Sequence, residues 1–183
     1  MRPLRIARRA LAPACALSML VPGVAPAAQS FFLQANGLEG EATERGFERA
    51  IEVQEFSWGV SNASGKSSPS FQDFAVTKYV DRASPLLLES VARGQTIPTA
   101  KLTAVKGGEP PARWLRFCFT GVRVTSVSSA GSRDDDRLRE NVTFSYSTIV
   151  EAYQRQLPDG SLAQTVFGGW DLVKNVQYGD PAC

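Results

Sequence analysis

Trp114 to Ser128 reads as one long strand, in which Leu115, Phe117 and Phe119 alternate with Arg116, Cys118 and Thr120. That is the pattern of a half-buried β-strand, which needs a sheet beside it and a core beneath one face. Other segments supply both. Phe31–Ala35 reads as a short strand stopped by the turn dipeptide Asn36-Gly37, and Phe71–Val80, Thr99–Val105, Val142–Gln154 and Gln164–Tyr178 read as further strands. In Ala50–Ser61, Ile51 and Val53 face one side while Phe56, Trp58 and Val60 face the other. The slip at Gln54-Glu55 predicts a bulge, or a strand buried on both faces in different places. Residues 62–70 (NASGKSSPS) form a long exposed loop, and 133–139 (RDDDRLR) a charged one. One helix is expected at about residues 85–93, with Ser84 as N-cap, Pro85 at the first position, Gly94 at the stop and Leu87, Leu88 and Val91 as its buried face. Seven or eight strands with one helix predict a mainly β fold, a closed or nearly closed barrel.

The 183 residues, 43% hydrophobic, suffice for one domain with its own core. Histidine is absent, which excludes Ser-His-Asp and Cys-His catalysis and His-ligated zinc or haem. Three cysteines without a CxxC pair add no metal site. Asp134, Asp135 and Asp136 lack the alternate acids and bidentate glutamate of a calcium loop. Neither Asp81 with Glu89 nor Glu52 with Glu55 is marked as sharing a cleft, and Gly168-Gly169 lacks the strand-to-helix setting of a phosphate loop. No catalytic residue, metal or cofactor is assigned, and the chain is expected not to be an enzyme.

Residues 1–27 read as a secretory signal peptide: Arg2, Arg5, Arg8 and Arg9, then the apolar run 10–24, then Ala25-Pro26-Ala27 with cleavage after Ala27. A twin-arginine signal at Arg8-Arg9, a lipidated Cys15 and a mis-called start upstream of a cytosolic protein are the competing readings. The apolar run is too short and too interrupted for a stable membrane span. Residues 28–183 then form the single domain. Removing the leader leaves 16 basic against 18 acidic residues, so the basic character belongs to the leader and nucleic acid is not an expected partner. Cys118 and Cys183 remain, either as a disulfide in an oxidising compartment or as a small strand residue and a terminal thiol.

A string of short segments resembles the haemolysin co-regulated protein (Hcp) family, the tube proteins of type VI secretion. They are Gly37-Leu38-Glu39-Gly40-Glu41, Ile51-Glu52-Val53 with Phe56-Ser57-Trp58-Gly59-Val60, and Phe71-Gln72-Asp73-Phe74 with Thr77-Lys78-Tyr79-Val80-Asp81. The string continues through Ala83-Ser84-Pro85 with Leu87-Leu88, Lys106-Gly107-Gly108, Val124–Val127, Asp136-Arg137-Leu138 with Glu140-Asn141-Val142, and Gly169-Trp170-Asp171-Leu172 before Asn175. The resemblance implies a β-barrel of two packed sheets with one flanking helix and a protruding loop. It implies six copies closing into a ring, rings stacking into a tube, and effectors, spike and sheath components as partners. It places Lys106, Gly107, Gly108, Val173 and Lys174 at ring-stacking edges and Ser57 on a pore-lining strand; a surface or barrel-interior serine is the plain alternative for Ser57, and core packing is the default for Trp58 and Trp170. The leader leaves two localisations: export to the periplasm or beyond, where the barrel could serve as a carrier or ligand-binding protein outside a type VI machine, or the cytoplasm before type VI secretion if the start is mis-called.

Overall fold

The computed structural model describes residues 29–63, 67–107, 111–180 and 183; the leader and Gly108 lie outside these. In chain order the elements are β1 (Gln29–Ala35), β2 (Ile51–Ser57), β3 (Val60–Ser61), β4 (Ser70–Phe71), β5 (Phe74–Tyr79), α1 (Ser84–Arg93), β6 (Thr96–Lys106), β7 (Ala112–Ala130), β8 (Arg139–Ser145), β9 (Thr148–Tyr153), β10 (Val166–Asp171) and β11 (Val176–Gln177). The main sheet runs β11-β10-β9-β7-β6-β1-β2-β5-β8, and β8 also pairs with β7. That second pairing closes six strands into a barrel, with β9, β10 and β11 continuing outward from β7.

The closure depends on one long strand serving two partners. Residues 115–120 of β7 pair with β9, and residues 123–130 pair with β8. Between them stands Gly121 at φ 58°, a left-handed conformation that glycine adopts without strain. A Cβ there would also lie 2.4 Å from the Ser147 hydroxyl. Glycine therefore lets the strand turn from one sheet into the other, as bends at barrel corners do.

Phe74, Phe117, Phe119 and Phe144 meet inside the barrel at centroid separations of 4.9–6.5 Å, with Ile51, Leu102, Val122 and Val142 fully buried around them. Of the two readings of the slip in β2, the structure takes the bulge: the register with β5 shifts between Val53 and Glu55. The bulge returns Phe56 and Trp58 to the same core as Ile51 and Val53 rather than to the opposite face. Val60, expected to join them, leaves the barrel in the β3–β4 hairpin and is exposed.

Helix α1 corrects two expectations. Its N-cap is Ala83, without a side-chain cap bond; the Ala83 N–H instead donates to Asp81 Oδ1 at 2.9 Å. Ser84, one residue inside, is drawn into a buried polar cluster. Its hydroxyl donates to Glu140 Oε2 (2.8 Å), while Lys78 Nζ reaches Ser84 Oγ (3.0 Å), Glu140 Oε2 (2.9 Å), Asp81 Oδ1 (2.8 Å) and the Tyr79 carbonyl (2.8 Å). Lys78 is fully buried, and this set of partners is what permits a charge there. On the helix, Leu87 is buried and Val91 packs on the core, but Leu88 is 65% exposed. The third inward position belongs to Ser90, buried three residues after Leu87 at helical spacing.

Candidate assembly surfaces

The barrel wall has two unlike outer faces. Across β2, β5, β8 and the second half of β7, strand register aligns Glu55, Thr77, Asn141 and Ser128 in one row and Ser57, Ala75, Thr143 and Ser126 in the next. Because side chains alternate along each strand, these project outward while Phe56, Val76, Val142 and Val127 project inward. The face is hydroxyl-rich and internally bonded: Thr77 Oγ1 donates to Asn141 Oδ1 at 2.9 Å, and Thr125 Oγ1 donates to Asp73 Oδ2 at 2.6 Å and lies 2.9 Å from the Thr143 hydroxyl. Ser57 lies exposed at the end of β2 within this face. Its neighbours Thr77, Asn141 and Thr143 were given no site role from the sequence, although the polar half of the alternation in β5 and β8 marks them.

The remaining expected site residues fall at two separate levels. Lys106 ends β6 opposite Ala112, and Gly107 follows it. Val173 and Lys174 lie in the turn after β10, not at the end of a continuous last strand, since β10 stops at Asp171. Asp171 explains the break. Its Oδ1 accepts the N–H groups of Val173 (3.0 Å) and Lys174 (2.8 Å), and these bonds, the Lys174 amide foremost, hold its carboxyl below the usual range despite opposing desolvation. Asn175 completes the turn at φ 55° and donates through Nδ2 to Ser67 O (3.2 Å) and Ser68 Oγ (3.1 Å). Ser67 and Ser68 of the loop expected at 62–70 are thereby tied to the Val173–Lys174 turn, and 64–66 lie outside the described residues. Register fixes the separation of the two levels. Asp171, Thr148, Thr120 and Thr99 form one row across four strands, and Lys106 lies seven residues farther along β6, about 23 Å at 3.3 Å per residue.

The second outer face, across β1, β6, β7 and β9, is covered from both sides. Phe47, Ala42 and Ala50 of the loop after β1 pack on Phe32 and Val105, with Phe47 stacked on Phe32 at 4.4 Å. On the other side Cys183 packs on Val150 and Ala152 and is joined to Cys118 by a disulfide. A cleft of about 470 Å³ lies on this face, lined by Gln34, Lys101, Thr120 and Thr148 of the strands and by Tyr178, Asp180 and Cys183. The carboxylate pairs considered in the sequence do not form, since Asp81 pairs with Lys78 and Glu89 with Arg93; Glu52 and Asp81 instead line one small cavity with Glu41, Tyr79 and Arg137. Among the described residues no group of three or more His, Cys, Asp or Glu could hold a metal ion, and no helix is long and apolar enough to cross a membrane.

The features that set this barrel apart are an uncovered polar wall and turn edges at two separate levels. The comparisons give the family: residues 32–153 match the model of "Type VI secretion system effector, Hcp", and the chain belongs to the Hcp family of type VI secretion tube proteins. It is 41% identical over 108 residues to Protein hcp1 of Pseudomonas aeruginosa, covering 58% of this chain and 67% of that one. Among solved structures it resembles Hcp1 from Salmonella typhimurium (32% identity, TM-score 0.71, 82% of this chain and 99% of that one) and a type VI secretion system effector from Yersinia pestis (28%, 0.67, 77% and 98%).

Proposed function

We propose that six copies of this chain close head to tail into a ring, that rings stack through Lys106-Gly107-Gly108 on one side and Val173-Lys174 on the other, and that the tube so formed carries or delivers effectors, with spike and sheath components as its further partners. The observation that supports this most is the uncovered polar wall of β2, β5 and β8. A lumen filled with water favours Thr77, Asn141, Thr143 and Ser57 over apolar side chains, whereas the opposite wall is occupied by the chain's own loop and C-terminal segment. The roughly 23 Å between the two turn levels gives each subunit distinct upper and lower edges, and a heterologous contact that closes after six copies leaves both edges free to stack.

Analytical ultracentrifugation of residues 28–183 tests the ring: a species of six subunit masses is expected, and a monomer over a wide concentration range overturns it. For stacking, cysteines replace Gly107 and Val173 in a Cys118→Ala, Cys183→Ala background. Oxidation then links one ring to the next; links confined to single subunits, or none in a preparation seen to stack by electron microscopy, reject the assignment. Expression with residues 1–27 separates the two localisations: recovery in the cytoplasm alone supports the tube role, whereas a chain recovered outside the cytoplasm that begins at Ala28 by intact mass supports an exported carrier outside a type VI machine.

A further inference from the structure

We infer that Arg113 and Arg116, set side by side on the outer face of β7, form a binding site for a phosphate group, free or carried on a larger molecule. An irregularity of β7 creates the pair. In an even strand residues three apart point to opposite faces. Here the register with β6 shifts between Ala104 and Val105, so that Arg113 stands opposite Val105 and Arg116 opposite Thr103. Val105 and Thr103 are two residues apart and share a face, which brings the two arginines onto that face about 7 Å apart. The face is the covered one: Phe32 pairs with Thr103 and clusters with Phe47 and Val105.

Both arginines are held in place without being neutralised. The Arg113 guanidinium lies over the Phe47 ring at 4.6 Å, and its Nη2 packs against Gly46, 2.5 Å from where a Cβ would stand. A ring face steadies a cation but supplies no oxygen acceptor. Arg116 is half-buried between its register partners Thr103 and Ala152, both buried. Its Nε is buried and has no hydrogen-bond partner among the described residues. Burial first, and the charge of Arg113 second, lower the Arg116 pKa, the mark of a cation set beside a like charge. Among the described residues neither arginine forms an ion pair. Glu48 of the overlying loop accepts the Gly46 N–H through Oε2 at 3.0 Å. Glu52, in the same row as Phe32, Thr103 and Arg116, is three strands from Arg116, roughly 14 Å. Lys106, its Nζ over the Trp114 ring at 4.7 Å, adds a third cation at this end of β7.

A phosphate group is the anion that fits. Each guanidinium presents a planar fork of N–H donors that oxyanions match in pairs. Two forks about 7 Å apart can converge on one tetrahedral group whose several oxygens serve both, whereas the two oxygens of a carboxylate are filled by a single fork. Like charges beside one another and an unbonded donor are unfavourable in the free protein, and a bound anion relieves both. The site lies on the opposite wall from the proposed lumen and is complete within one subunit.

The test is calorimetric titration of the full chain with pyrophosphate at constant ionic strength. Saturable uptake is expected, weakened about 10–100-fold by Arg113→Gln and by Arg116→Gln. Arg116→Lys should not restore it, since lysine lacks the fork. Arg123→Gln, which removes an exposed arginine from the other half of the strand, should leave it unchanged. Melting without the anion separates binding from folding: Arg116→Gln should melt no lower than wild type. Phosphatidylglycerol vesicles tell the two sources apart. Co-sedimentation that Arg116→Gln abolishes assigns the site to a lipid headgroup, and pyrophosphate binding without co-sedimentation assigns it to a soluble phosphate. No saturable uptake of pyrophosphate, or an equal loss in Arg123→Gln, would overturn the site. So would an Arg116→Gln protein that melts well below wild type, because the guanidinium would then already have its partner inside the fold.

Discussion

Lys78 shows how little of a buried charge can be read from residue type alone. It stands in an alternating strand where the inward positions are otherwise apolar, and its partners come from residues 79, 81, 84 and 140. No local spacing announces such a set. Ser84 misleads for the same reason: a serine before Pro85 reads as a cap, but the nearby Glu140 carboxylate takes its hydroxyl. Removing Glu140 takes a carboxylate from both Lys78 and Ser84 while Asp81 still pairs with Lys78, so Glu140→Ala should cost about 1–3 kcal/mol in urea denaturation, whereas replacing Lys78, Asp81 and Glu140 together by apolar residues should cost less. Burial pushes the Glu140 pKa up, but hydrogen bonds from Lys78, Ser84 and Ser129 and the Lys78 charge outweigh it, leaving the group below its ordinary 4.5. A carboxyl depressed in the folded state contributes stability above its unfolded pKa and loses that contribution as pH falls through the folded one. Wild-type stability should therefore decline below about pH 4.5 more steeply than that of the triple apolar variant, measured by denaturation along a descending pH series.

At the scale of elements, period-two alternation located most strands, and the Gln54-Glu55 slip was legible as a bulge because the pattern itself breaks there. Two features escaped. At Gly121 the apolar alternation changes phase, from Leu115, Phe117 and Phe119 to Val122 and Val124, a break that reading Trp114–Ser128 as one strand passed over and at which the partner changes from β9 to β8. The last strand reads as one because Gln164–Tyr178 carries no proline, and only the Asp171 carboxylate bonds end it. The helix was located correctly but rotated slightly in its buried face, since three leucines in a row cannot by themselves say which one points inward. That difference is measurable. Leu87→Ala, at 2% exposure, should lose about 2–5 kcal/mol, while Leu88→Asp, on the solvent side, should stay within about 0.5 kcal/mol; reversal of that order by thermal denaturation would reject the packing described for α1.

For the molecule as a whole, the sequence supports a family, a barrel and two edges, but not the division of the barrel's outside into one bare and one covered wall. That division arises from register between strands far apart in sequence and from a C-terminal segment folding back across β9, neither of which leaves a local mark. The same long-range closure governs when the protein can exist at all. β5 obtains its second neighbour, and the latter half of β7 its partner, only when β8 arrives, so a ribosome must pass Ser145 before Phe74 and Val76 can be sealed from water. Folding is consequently a late event dominated by non-local pairing, for which refolding from urea in milliseconds to seconds is expected by stopped-flow fluorescence. Until then the emerging chain remains a threadable polymer, the physical form in which a polypeptide crosses a translocation pore.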